Sequence, residues 1–173
     1  MERPGEWMRI LGIDPGVAIT GYGLVEENGR NFQCLASGCV RTDKDRPTAS
    51  RLKKIHKQIC DLIASHDPEA LVVEKIFFSK NVRTAFQVGE ARGVIILAAA
   101  SSGIDLFEYT PLQVKQAVAG YGKAEKIQVQ KMVQMLLQLP RLPRVDDEAD
   151  ALAVALCHLQ NRRFENAIKG GKP

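Results

Sequence analysis

Three placements of acidic residues could do chemistry in this sequence. Asp14 closes the apolar run Ile10-Leu-Gly-Ile13 and is followed by Pro15-Gly16. Glu74 closes a second apolar run, Ala70-Leu-Val-Val73. Asp146, Asp147, Glu148 and Asp150 open an apolar helical pattern near the C-terminal end. Burying a carboxylate without a partner is costly. An Asp that starts a turn by bonding its own backbone explains Asp14 taken alone, but not a second acid at the end of a second such strand. A helix N-cap and the macrodipole account for one acid of the third group. Four acids within five residues repel one another unless a cation sits among them. Asp147 shares a helix face with Asp150 at i, i+3, and Asp146 does so at i, i+4, so spacing leaves two choices. A cluster of hard oxygen donors suits Mg²⁺ or Mn²⁺. Two such ions about 3.5–4 Å apart activate a water and stabilise the leaving oxygen at a phosphodiester.

The elements that must position these acids follow from periodicity. Residues 8–14 are apolar on both faces, the pattern of a strand interior to a sheet, and Pro15-Gly16 turns the chain tightly. Segments 18–26 and about 32–42 are joined by Glu27-Asn28-Gly29-Arg30, whose Asn-Gly is a hairpin signal. The three strands are therefore expected to form an antiparallel meander. Residues 47–65 change to helical spacing through Leu52, Ile55, Ile59 and Leu62, and His66-Asp67-Pro68 ends the helix. Lys53, Lys54 and Lys57 fall on its other side, as a solvated face or as phosphate contacts. A strand over 69–74 follows, then Phe77 and Phe78, which read either as core or as exposed aromatics that stack on bases.

Residues 82–101 read as a long helix bearing Phe86, Gly89, Gly93, Ile96 and Leu97. Glycines inside a helix cost roughly 1 kcal/mol each against alanine. Gly89 and Gly93 at i, i+4 therefore call for close packing, against the sheet or against a second subunit. A strand over 104–109 leads to Pro111, which starts a helix ending at Ala119. Gly120-Tyr121-Gly122 breaks the pattern and Lys123 opens the next helix, with Val129, Met132, Val133 and Leu136 on one face. Lys115, Lys123, Lys126 and Lys131 gather around this turn, as a phosphate-binding surface or a solvated one. A proline-broken loop, 139–145, precedes the last helix, 147 to about 163, whose Leu152, Ala155, Leu156 and Leu159 point inward. Residues 1–7 read as a loose extension and 164–173 as a flexible tail.

Composition narrows the class. A chain of 173 residues suits one domain, here 8–163, with a real core. Net charge of +4 fits a polyanionic partner without requiring one. No apolar run approaches the roughly 20 residues that span a bilayer, and no signal peptide or anchor is expected. Cys34, Cys39, Cys60 and Cys157 form no CxxC pair, so they are expected to be reduced, mostly buried thiols of a cytoplasmic protein, with no structural zinc.

Six stretches taken together resemble the RuvC family of Holliday-junction resolvases, in the ribonuclease H-like superfamily. They are Ile10-Leu-Gly-Ile-Asp-Pro-Gly16, Val72-Val-Glu-Lys-Ile-Phe77, Gly89-Glu-Ala-Arg-Gly93, Val114-Lys-Gln116, Ala124-Glu-Lys-Ile-Gln-Val-Gln130 and Asp147-Glu-Ala-Asp-Ala-Leu-Ala153. The resemblance runs from Met8 to about Gln160. It implies an α/β ribonuclease H-like fold: a mixed five-stranded sheet, three antiparallel strands then two parallel, flanked by helices. It implies that Asp14, Glu74, Asp147 and Asp150 are the catalytic, metal-binding acids, choosing Asp147 over Asp146, with two Mg²⁺ per site and Mn²⁺ able to substitute. Phe77 matches an aromatic that stacks on bases at the junction centre. Lys115 and Lys126 match residues that contact DNA near the scissile phosphate. The helix of Gly89 and Gly93 matches the one that builds a homodimer. The implied activity is symmetric nicking of two strands of a four-way junction in recombination and repair, leaving 5′-phosphate and 3′-hydroxyl ends, alongside the RuvA and RuvB branch-migration proteins. Two other classes compete: a non-catalytic junction-binding protein, against which the full set of four acids argues, and an actin-like phosphotransferase, suggested by the first strand alone and lacking a second glycine-rich phosphate loop.

Overall fold

The computed structural model describes residues 7–29, 31–75 and 82–170. The strands are β1 (Met8–Asp14), β2 (Ile19–Asn28), β3 (Asn31–Arg41), β4 (Ala70–Glu74) and β5 (Asp105–Tyr109). The helices are α1 (Thr48–His66), α2 (Val82–Ser101), α3 (Pro111–Ala119), α4 (Lys126–Leu136) and α5 (Asp146–Gly170). One sheet runs β3-β2-β1-β4-β5, so the two-faced apolar strand β1 is central, as its pattern predicts. β1 pairs antiparallel with β2, and β2 with β3; β1 pairs parallel with β4, and β4 with β5. The expected meander and mixed sheet are both present. At the hairpin Asn28 pairs with Asn31, and Gly29 takes a left-handed φ of 59° that a side chain would disfavour.

Alternation along β1 sends its side chains into two cores. Ile10 packs with Val25, Val72, Leu152 and Leu156 on the α5 side. Leu11 and Ile13 pack with Ile55, Ile59, Val73 and Ile95 on the α1–α2 side. Helix α5 lies between the sheet and the α3–α4 pair, and every residue from Ala151 to Leu159 is buried. A helix apolar all round belongs in a core.

The structure moves several expected boundaries. Helix α4 begins at Lys126, not Lys123. Ala124 is buried in the preceding turn, and the Glu125 N–H is capped by Gln128 Oε1 at 2.7 Å. Helix α5 begins at Asp146 and continues to Gly170, so residues 164–170 are helix where a tail was expected. Apolar periodicity stops near 163, but Arg163 ties the helix to the β2–β3 hairpin. It pairs with Glu27, donates to the Gly29 carbonyl at 3.0 Å and lies 3.9 Å over the Phe32 ring. The buried face of α1 uses Ile63 with Ile55 and Ile59; Leu52 and Leu62 are only partly buried. Asp67 ends α1 in a left-handed turn, its N–H donating to the Ile63 carbonyl at 2.9 Å. Of the four cysteines only Cys157 is buried; Cys34, Cys39 and Cys60 are half-buried, and all four are free thiols. No described helix is long and apolar enough to cross a membrane.

Candidate active site

Parallel pairing sets the first two acids side by side. Ile13 is in register with Val73, so Asp14 and Glu74 each lie one residue further, at the C-terminal ends of neighbouring parallel strands. Ligand sites in parallel α/β sheets gather at such ends. Both acids are half-buried.

Glycines bring the remaining acids over them. Asp14 pairs with Gly21 across β1–β2, and Gly12 pairs with Gly23. A Cβ on Gly21 would collide with the carbonyl oxygen of Asp147, and one on Gly12 with that of Ala151. The α5 backbone therefore lies directly on the sheet, and its first turn carries Asp147 and Asp150 to the end of β1. The other two acids of that turn are held elsewhere. Glu148 accepts a hydrogen bond from Ser37 Oγ of β3 at 2.6 Å. Asp146 lies 3.2 Å from Lys126 Nζ and accepts from Gln130 Nε2 at 2.9 Å. The geometry thus separates Asp146 from Asp147, which spacing could not do.

The electrostatics describe a crowded cleft. Burial, then the charges of Asp150, Asp147 and Glu74, push the Asp14 carboxyl up to about 7, with Lys126 opposing. Burial also raises Glu74; Asp150 adds to the effect while Lys115 and Lys126 oppose it. Burial raises Asp150 against the pull of Lys126, whose Nζ donates to Asp150 Oδ2 at 3.0 Å. Asp146 goes the other way: the bonds from Lys126 and Gln130 hold its carboxyl below the usual range. Among the described residues, no three His, Cys, Asp or Glu side chains converge closely enough to enclose an ion as they stand. Beside the acids opens a cavity of about 240 Å³, rimmed by Glu74, Asp150, Lys115 and Lys126 over an apolar floor that includes Val114 and Val129.

The other expected residues divide. Lys115 and Lys126 reach the cleft. Phe77 lies outside the described residues. Gly89 and Gly93 are exposed on α2, where an added Cβ would meet no described residue within 4 Å, so packing against the sheet does not explain them. Phe86 and Leu97 are exposed on the same helix, at 71% and 55%. Sequence reasoning missed the roles of Gly12 and Gly21. Their signal was available: small residues recur on two paired strands beneath an alanine-rich helix.

A sheet of three antiparallel strands followed by two parallel ones, with acids on β1, β4 and the facing helix, defines a ribonuclease H-like α/β protein. The model of the family described as Crossover junction endodeoxyribonuclease RuvC matches residues 10–158. Relatives of that name from Pelotomaculum thermopropionicum and Desulforamulus reducens are 55% and 56% identical, covering 94% of this chain and 99% and 100% of their own. The structure of Thermus thermophilus RuvC in complex with a Holliday junction substrate superposes with a TM-score of 0.87 at 37% identity, covering 91% of this chain and 96% of that one. The chain belongs to the RuvC family.

Proposed function

We propose that this chain is a crossover junction endodeoxyribonuclease. It hydrolyses one phosphodiester in each of two symmetric strands of a four-way DNA junction, leaving 5′-phosphate and 3′-hydroxyl ends for ligation in recombination and repair. The reading is supported by the pairing of β1 with β4, which sets Asp14 and Glu74 at adjacent strand ends under the α5 turn that bears Asp147 and Asp150, in a RuvC-family chain.

The donor set fits a hard divalent cation. All four groups offer carboxylate oxygen, and none offers nitrogen or sulfur. Burial first, and the neighbouring carboxylate charges second, raise Asp14, and a divalent cation would offset both. Asp14, Glu74, Asp147 and Asp150 would hold Mg²⁺, two ions per site, with Mn²⁺ able to substitute. Bound there, the metal supplies an activated water and stabilises the leaving 3′-oxygen. The chain's own cations do the rest. Lys115 and Lys126 on the rim attract the backbone phosphate and hold it over the acids. Phe77 stacks on bases at the junction centre. The open face of α2, with Gly89 and Gly93, joins two copies so that two clefts address two strands. The protein works in the cytoplasm beside RuvA and RuvB.

Asp14→Asn tests the reading. Junction binding stays within about twofold, because Asp14 holds metal and not DNA, while cleavage falls at least about 100-fold. Cleavage at the wild-type rate by this variant overturns the assignment.

A further inference from the structure

Asp146 stands beside the cleft acids but does not join them. One ammonium, Lys126 Nζ, lies 3.0 Å from Asp150 Oδ2 and 3.2 Å from Asp146 Oδ2. It bridges two carboxylates one turn apart on α5. The two ends of the bridge differ. Asp150 belongs to the cleft. Asp146 is two-thirds exposed, and its other oxygen is fixed from outside by Gln130, one turn beyond Lys126 on α4. Lys126 and Gln130 thus grip Asp146 together, while Lys126 alone reaches Asp150.

We propose that Asp146 is a positioning residue, a second berth for Lys126. It keeps the ammonium at the cleft when a divalent cation takes Asp150. The inference rests on the reading of Asp150 as a cation ligand. The ammonium and the cation compete for the same carboxylate oxygen, so Lys126 must yield before Asp150 can serve. A lysine head swings between nearby partners on a flexible four-carbon stem. The berth limits that swing to the neighbouring carboxylate, so the positive charge remains where a phosphate arrives. Remove Asp146, and the displaced ammonium loses its nearest alternative, which makes Asp150 harder for the cation to win.

Mn²⁺ binding to the DNA-free full chain, followed by calorimetry and by the resonance signal of free Mn²⁺, tests this in a double-mutant cycle. Lys126→Met tightens binding about fivefold, the range of a partly exposed ion pair. Asp146→Asn weakens binding about threefold in the presence of Lys126 and changes it by less than about 1.5-fold in the Lys126→Met background. Equal weakening in both backgrounds makes Asp146 a direct contributor to the cation and overturns the berth. Unchanged or weaker binding by Lys126→Met overturns the competition. Asp150→Asn is the control: loss of Mn²⁺ binding upholds the cation reading, and wild-type binding overturns that reading before the berth is considered. Melting midpoints of the variants confirm that each chain is folded.

Discussion

Asp14 is where burial and charge conflict most. Its carboxyl holds a proton up to about 7 in the fold, against 3.8 ordinarily. Between those values the folded chain keeps a proton that the unfolded chain has lost, so stability falls as pH rises through this window. Above it the penalty is complete; below about pH 4 it vanishes. Asp14→Asn should therefore raise the melting midpoint by roughly 10 °C near pH 8 and leave it unchanged near pH 4. Mg²⁺ should raise the wild-type midpoint and leave that of the variant nearly unmoved. A variant less stable than wild type at pH 8 contradicts the account. Asp14 and Glu74 were legible in the sequence because each ends an apolar run, and a strand's last residue is read from its own neighbours. The choice between Asp146 and Asp147 was not. Both spacings share a face with Asp150, and what separates them is Lys126 and Gln130 on another helix. Local periodicity holds no record of that.

At the scale of elements, the site depends on how closely α5 lies on β1 and β2. Gly21 is the position to change. A methyl there meets the Asp147 carbonyl, so Gly21→Ala must lift the first turn of α5 off the sheet. The expected cost is about 1–3 kcal/mol of stability, with cleavage reduced at least about tenfold at unchanged helical content. Thermal melts and single-turnover cleavage check this; wild-type cleavage by the variant would show that the contact does not position the acids. The elements themselves were largely legible, since β1 to β5 and α1 to α3 follow their apolar periods. The end of α5 was not, because residues 164–168 are exposed and carry no inward stripe. Arg163, Glu27 and Phe32 secure that end through contacts distant in sequence. The α4 start was missed for a smaller reason: Lys123-Ala124 looks helical, but Ala124 is buried in the turn and capping begins at Glu125.

For the whole molecule, the proposed pairing of two copies would give one acid cleft to each strand, its two-fold symmetry matching that of a four-way junction. Gly89 and Gly93 spend helix stability on a surface that no described residue covers, with exposed Phe86 and Leu97 nearby. Gly93→Arg should halve the mass seen by sedimentation, keep the circular dichroism of the fold and reduce paired nicking at least about tenfold. An unchanged mass would place the dimer contact elsewhere. The most direct test of the central claim is a map of cuts on all four strands of a labelled mobile four-way junction with Mg²⁺. Nicks are expected at symmetric positions in two opposed strands, sealed by ligase without further processing. Tight binding without nicks, or single unpaired cuts scattered over the four strands, would contradict that claim.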